Sequence, residues 1–217
     1  MMLSPLNIYN ELRFKSKEKI ISAIRGFKNT IGRLKNKIER ERFFPSDVII
    51  CPSDEVVLSC TREYMNVAFQ LLEERGVSYP FSKADLRARE TNEMLDDISE
   101  ITFEIGSWCS PRRLKCIKVN DYFEITECSM LGPISDSFAI EAAPFIAELK
   151  KLYLGEWRAY YSSSKHGMEI LDGEQWELEI LFSNGKKKIW SGSNDYPYNF
   201  EALLSLFGMD DFEEEEQ

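Results

Sequence analysis

The hydrophobic residues between positions 20 and 38 recur at alternating spacings of four and three, with Lys and Arg at most of the positions between them. This a/d pattern predicts an amphipathic helix from about Ser16 to Arg42, which Pro45 ends. Gly26 and Gly32 are expected to weaken this helix by about 1 kcal/mol each relative to Ala. The apolar positions are Ile20, Ile24, Phe27, Ile31, Leu34 and Ile38.

Charge separates this helix from the rest of the chain. The sequence has 217 residues and a net charge of −10, but residues 1–46 carry eleven Lys and Arg against four Glu. The arm is therefore +7 and the remainder −17. Three hypotheses are open for the arm: its apolar seam packs on a sheet of the same molecule, it contacts a second copy or another protein, or it binds nucleic acid or an anionic membrane surface. The candidate partner contacts are Arg33, Lys35, Lys37 and Arg40.

Short apolar runs follow Pro45. The β-branched runs 47–51 and 55–60 predict two strands separated by a turn. Helical spacing then predicts a helix over 61–75, which Gly76 ends.

The central region combines a polar helix with alternating strands. Ser82 and Asp85 resemble a capping box that opens a helix through about Ile98. Apolar spacing over 136–153 predicts a further helix that Pro144 kinks or splits. Alternation predicts strands at 101–105, 114–119 and 122–126, with a hairpin turn at Asn120-Asp121.

The most specific pattern lies in residues 156–208. Alternation on both sides of Asn184-Gly185 predicts a β-hairpin with a two-residue turn, in which Leu178 faces Ser191 and Ile180 faces Ile189. A strand over 156–161 would complete a meander. The spacing of apolar residues from 200 to 207 predicts a last helix, closed by Gly208.

These elements predict an α+β protein. It would have a long amino-terminal amphipathic helix, a mixed or antiparallel sheet with covering helices, and a carboxy-terminal β-meander plus helix. The predicted parts are a basic helical arm (1–46), an α+β body (47–152), a meander-and-helix module (153–208) and an acidic tail (209–217).

One string in the carboxy-terminal module resembles a known family. It reads Asp172-Gly173-x-x-Trp176-x-Leu178, then Asn184-Gly185-Lys186, then Gly192-Ser193-Asn194-x-Tyr196-Pro197-x-Asn199-Phe200. This string is similar to a module of uncharacterised, largely Firmicutes, bacterial proteins, and it covers about a quarter of the chain. The resemblance implies a small α+β unit and no established activity.

Composition excludes several kinds of site. A single histidine rules out His-rich zinc sites, facial-triad iron and HExxH proteases, and the five cysteines match no zinc-ribbon or ferredoxin spacing. The odd number of cysteines and their scatter among apolar residues indicate reduced thiols in a cytoplasmic protein. No cofactor or metal is expected. No segment approaches the ~20 apolar residues that a membrane span needs.

Two loops carry candidate chemistry. In the first, Cys109 lies beside Trp108, Arg112 and Arg113, so that its thiol could have a lowered pKa and could pair with His166; a structural turn is the alternative. His166 itself is expected to be a solvent-exposed loop residue. In the second loop, small polar residues precede the last helix, as in an anion site or a simple turn. Its ligand candidates are Gly192, Ser193, Asn194 and Tyr196.

The absence of a catalytic motif favours a cytoplasmic protein-interaction or regulatory module, such as an immunity-type protein, that acts without catalysis. Its partner would bind the basic helix or an exposed face of the sheet. The alternatives are a small-ligand binder or enzyme that uses the Trp108–Arg113 loop, and a nucleic-acid-binding protein that uses the amino-terminal helix.

Overall fold

The structure is a computed structural model, and it divides the chain into two compact units, Met1–Phe81 and Ser82–Gln217. The division falls after Phe81, whereas the sequence predicts boundaries after residues 46, 152 and 208. The acidic tail beyond Met209 lies outside the described residues. These are 3–45, 51–107, 111–129, 132–133, 137–168, 170 and 173–209.

Three helices of the first unit each begin after a serine. The serine side-chain oxygen accepts a backbone N–H of the first turn, which would otherwise lack an intrahelical partner. The helices are α1 (Pro5–Leu12, capped by Ser4), α2 (Lys17–Glu41, capped by Ser16) and α3 (Asp54–Glu74, capped by Ser53). The long helix is confirmed at both ends. Helix α1 went unpredicted, although Ser4-Pro5 is a helix-start signal.

The run Glu55–Cys60 is helical, so the predicted strand there is wrong. Ser53 caps the helix, and Asp54 and Glu55 place carboxylates in its first turn, where they interact favourably with the helix dipole. These local interactions override the β propensity of the valines. The other predicted strand, 47–51, lies outside the described residues except for Cys51.

The apolar seam of α2 packs on other helices. Ile20 and Ile24 are fully buried, and they cluster with Ala68 and Leu72 of α3 and Leu12 of α1. Each fully buried isoleucine contributes about 1.5–3 kcal/mol relative to an exposed one. The expectation that the seam packs on a sheet is therefore wrong for Ile20 and Ile24.

The second unit begins with helix α4 (Lys83–Met94), whose capping box between Ser82 and Asp85 is confirmed. The helix gives way to a 3-10 turn at Leu95–Asp97 and ends before the predicted Ile98, which begins the first strand. The strands are β1 (Ile98–Gly106), β2 (Arg112–Val119), β3 (Tyr122–Ser129), β4 (Gly132–Pro133), β5 (Phe138–Glu141), β6 (Tyr160–Ser162), β7 (Gln175–Phe182) and β8 (Lys187–Ser193).

These strands form one mixed sheet in the order β4-β3-β2-β1-β7-β8-β6, and β5 also pairs with β3. All neighbours are antiparallel except β6 and β8, which run parallel with Tyr160 beside Ser191. Only the end of the strand predicted over 156–161 is present, since β6 begins at Tyr160 and Glu156 lies in a 3-10 turn. This strand pairs with β8 and does not extend the hairpin as a meander. The α+β class with its long amino-terminal helix and carboxy-terminal strands plus helix is confirmed.

The β7–β8 hairpin has a register one residue away from the prediction. Its loop contains three residues, because the N–H of Phe182 donates to the carbonyl of Lys186 and Gly185 adopts a φ of 78°. Leu178 consequently faces Trp190, not Ser191. The shift exchanges the two faces of β8, so that Trp190 is buried and Ile189 is exposed.

Two further helices cover one face of the sheet: α5 (Ala142–Lys151) and α6 (Phe200–Leu206). Rings from this side stack on the strand residue Phe103, with Phe207 at 5.2 Å between centroids. The predicted helix over 136–153 is too long, since Phe138–Glu141 is a strand. Pro144 lies in the first turn of α5, where no intrahelical N–H bond is lost, so it neither kinks nor splits the helix.

Candidate functional site

The four basic residues predicted as partner contacts lie on α2 in different surroundings. Arg33 and Arg40 are exposed, whereas Lys35 and Lys37 are half-buried. The ammonium of Lys37 hydrogen-bonds to Asp54 at the start of α3 and lies 3.5 Å from Glu41. The hydrogen bond to Asp54 raises the pKa of Lys37 above its ordinary value. Lys37 therefore ties α2 to α3, and Arg33 and Arg40 are the more accessible of the four.

The predicted cysteine–arginine loop is only partly described, because Trp108 and Cys109 lie outside the described residues. Arg112 Nε lies 2.7 Å from Glu127 Oε1, and Arg113 Nε lies 3.8 Å from Glu104 Oε2. Successive residues of a strand point to opposite faces, so the two guanidinium groups diverge. Each is paired with a glutamate of a neighbouring strand.

A buried carboxylate gathers polar groups near the predicted ligand loop. The side chain of Asp195 is 0% exposed, and its Oδ2 lies 3.6 Å from Arg158 Nη2 and 3.5 Å from His166 Nε2. The backbone N–H of Ser162 donates to Oδ2 at 3.2 Å, and that of Tyr196 donates to Oδ1 at 2.9 Å. Both carboxylate oxygens are thus occupied, and the cluster joins β6 to the segment after β8.

His166 belongs to this cluster, so the expectation of a solvent-exposed histidine is wrong. Only 12% of its side chain is accessible. It ends a 3-10 turn at Ser163–His166, after which Gly167 adopts a φ of 77°. This turn brings the imidazole to Asp195, 29 positions along the chain. No pattern in the sequence predicts that Asp195 lies beside His166.

The predicted ligand loop after β8 uses its polar atoms to hold the start of β7. Asn194, with a φ of 51°, accepts the backbone N–H of Glu174 on its side-chain oxygen at 2.8 Å. The hydroxyl of Tyr196 donates to the Glu174 carboxylate at 2.6 Å, and Ser193 accepts from the Gln175 amide at 2.7 Å. A Cβ at Gly192 would come 2.2 Å from an indole atom of Trp176. These contacts favour the interpretation as a structural turn.

The side of the sheet opposite Phe103 carries exposed apolar residues; we call it the open face. The register places Val119 opposite Tyr122 and Ile117 opposite Glu124, so these side chains share this face. Ile117 is 41%, Val119 40%, Tyr122 48% and Ile189 45% exposed.

Ion pairs cross the open face between neighbouring strands. They join Lys115 to Glu100 at 3.2 Å and Lys187 to Glu179 at 2.8 Å, in addition to Arg113 and Glu104. The hairpin pattern predicts Glu177 and Glu179 on one face with Lys186, Lys188 and Trp190. This is wrong for Lys188 and Trp190, because the shift in register places Ile189 opposite Glu179 and buries Trp190. Cross-strand ion pairs between exposed groups contribute only about 0.2–1 kcal/mol each.

A groove of about 460 Å³ lies beside the amino end of α5. Among its lining residues, Lys150 bonds both carboxylate oxygens of Asp96 at 2.7 and 2.6 Å. The N–H of Ala142 at the helix start donates to the Asp121 carbonyl at 2.8 Å. Lys150 and Asp96, two of the charged residues at this groove, thus compensate one another.

Comparison of the chain with protein-family models, curated proteins and solved structures gives no match. Within the described ranges, no helix is long and apolar enough to cross a bilayer. The same part of the chain contains no group of three or more His, Cys, Asp or Glu arranged to hold a metal ion.

Proposed function

We propose that the chain is a non-catalytic protein-interaction module of the cytoplasm, of regulatory or immunity type, and that its partner binds the open face of the sheet. The observation that carries this proposal is the exposure of Ile117, Val119, Tyr122 and Ile189 on that face. Ile117, Val119 and Tyr122 lie together on the adjacent strands β2 and β3, and Ile189 lies three strands away from β2, on β8. Exposed apolar side chains on one surface, bordered by polar residues, are typical of protein-binding sites.

The open face is also held in a defined shape, which favours binding of a folded partner. Its strands are the central strands of the sheet, and their opposite side packs aromatic rings such as Phe103 against Phe207. The backbone of such strands loses little further freedom when a partner binds, so less of the interaction energy is spent on ordering it.

The test places a photoreactive benzoylphenylalanine at Ile117 in the full chain and irradiates it in extract of the native cells. We expect a discrete covalent adduct with one partner. The matched control carries the same group at Leu86, which is 53% exposed on α4. Adducts of equal yield at both positions, or none at Ile117, would reject the proposed function.

A third position separates the open face from the basic helix as the interaction surface. Arg33 is exposed on α2, and a partner or nucleic acid bound to the helix would be captured there. Capture at Arg33 with none at Ile117 would favour the helix hypothesis over the open face.

A further inference from the structure

Carboxylates outnumber basic side chains on the open face. The strand registers place six glutamates and three basic residues on it. The glutamates are Glu100, Glu104, Glu124, Glu141, Glu177 and Glu179, and the basic residues are Arg113, Lys115 and Lys187.

Each basic residue of the face is already paired with one of its glutamates. Lys115 pairs with Glu100, Arg113 with Glu104 and Lys187 with Glu179. Among the described residues, no basic side chain of this face remains for Glu124, Glu141 or Glu177, and all three are exposed.

Glu177 is also repelled by a second carboxylate on the neighbouring strand. It lies directly opposite Glu104 on β1, and like charges at directly opposed positions of neighbouring strands disfavour the free sheet. A cation placed between Glu104 and Glu177 would relieve this repulsion.

Two of these three carboxylates, Glu124 and Glu177, have an exposed isoleucine beside them. Ile117 lies directly opposite Glu124, and Ile189, opposite Glu179, is diagonal to Glu177. Lys and Arg side chains have an aliphatic stem and a charged head, so one such side chain can cover the isoleucine and reach the carboxylate.

From this juxtaposition we infer that the partner of the open face is a basic protein surface. Its Lys or Arg side chains pair with Glu124 and Glu177, and their stems pack on Ile117 and Ile189. This inference rests on the proposed function and names the chemistry of its partner. The same excess of carboxylates repels nucleic acid and anionic lipid from this face.

The test uses the double variant Glu124→Gln/Glu177→Gln in the full chain, with Glu63→Gln/Glu93→Gln as the control. The control removes the same net charge from exposed positions on α3 and α4. The probe is a short synthetic peptide of alternating Lys and Val, followed by fluorescence anisotropy. We expect the open-face variant to weaken binding by about fivefold, as two exposed ion pairs allow, and the control to leave it within about twofold of wild type.

Equal weakening by both variants would overturn the inference, because it would show that only net charge matters. Failure of the Lys–Val peptide to bind better than a matched Glu–Val peptide would also overturn it. The segment cross-linked at Ile117 provides a second readout: an acidic or uncharged segment rejects the basic partner but leaves the proposed function standing. An absence of any adduct rejects both.

Discussion

Gly155 lies so close to Ala88 that a Cβ on Gly155 would come within 2.4 Å of the Ala88 carbonyl oxygen and 2.6 Å of its Cα. Gly155 belongs to the 3-10 turn Leu154–Glu156, and Ala88 belongs to α4. Both opposing atoms are backbone, so they cannot move aside as a flexible side chain would. Because glycine has a hydrogen in place of a side chain, the turn Leu154–Glu156 can lie against α4 at this point.

We expect Gly155→Ala to destabilise the second unit by about 1–3 kcal/mol, the usual range for overpacking. All four tryptophans lie beyond residue 107, so urea unfolding followed by tryptophan fluorescence reports on this unit. An unchanged urea midpoint would show that α4 can shift without cost.

Glycines on α2 should respond in the opposite direction. A Cβ added at Gly26 or Gly32 would meet no atom within 4 Å, and both glycines lie in the interior of a long helix. We expect the double variant Gly26→Ala/Gly32→Ala to stabilise the first unit by about 1–2 kcal/mol, because Ala loses less backbone entropy than Gly. Thermal unfolding followed by far-ultraviolet circular dichroism measures this, and a lower melting temperature would contradict it.

The cysteine thiols should differ in reactivity according to how deeply each is buried. Burial raises the pKa of Cys116 to about 12, whereas Cys51 is exposed. Only the thiolate attacks iodoacetamide, so at about pH 8 the folded chain should be alkylated at Cys51 and not at Cys116. Peptide mapping by mass spectrometry gives both rates. The same map tests the hypothesis of a reactive Cys109, which requires that thiol to react faster than the others.

The raised pKa of Cys116 also predicts a dependence of stability on pH. The folded chain holds the Cys116 proton more tightly than the unfolded chain does, whose thiol has the ordinary pKa of 9.0. The stability that the protonated Cys116 thiol contributes to the folded state is complete below pH 9, and it is lost as the pH rises from 9 towards about 12. The free energy of unfolding should fall less steeply over this interval in Cys116→Ala. Identical slopes would contradict the assignment.

Local signals predicted those elements whose stability is local. The seam of α2, the Ser82–Asp85 capping box and the Asn120-Asp121 turn were readable because spacing and capping act within a few residues. The run Glu55–Cys60 was wrongly predicted as a strand, because the helix cap at Ser53 overrides the β propensity of its valines. The cap is itself visible in the sequence, and giving it more weight than β propensity predicts the helix.

Contacts between residues far apart in the sequence could not be predicted from local spacing and capping. The parallel pairing of β6 with β8 depends on a strand that follows about 25 residues later. The hairpin register depends on whether Gly185 forms a two- or three-residue loop, and this decided whether Ile189 joins the open face. The cluster of Arg158, His166 and Asp195 comes from three separated segments, and none of them carries a motif.

Asp195 gives the sharpest test of a buried polar cluster. Its carboxylate is fully buried, with Arg158 and His166 near the same oxygen, so Asp195→Asn removes the negative charge and leaves the neighbouring guanidinium without it. Breaking a buried ion pair from one side costs about 3–5 kcal/mol, and we expect a loss at or below the lower end of this range because the Arg158 side chain is 31% exposed. The matched control is Glu90→Gln, because Glu90 and Lys186 form a pair in which each side chain is 62% exposed. That variant should change the free energy of unfolding by no more than about 0.5 kcal/mol. Tryptophan fluorescence in urea measures both. Asparagine keeps only one of the two oxygens that accept the backbone N–H groups of Ser162 and Tyr196, so the loss includes one of these bonds. Equal effects of the two variants would contradict the expected cost of removing the buried carboxylate.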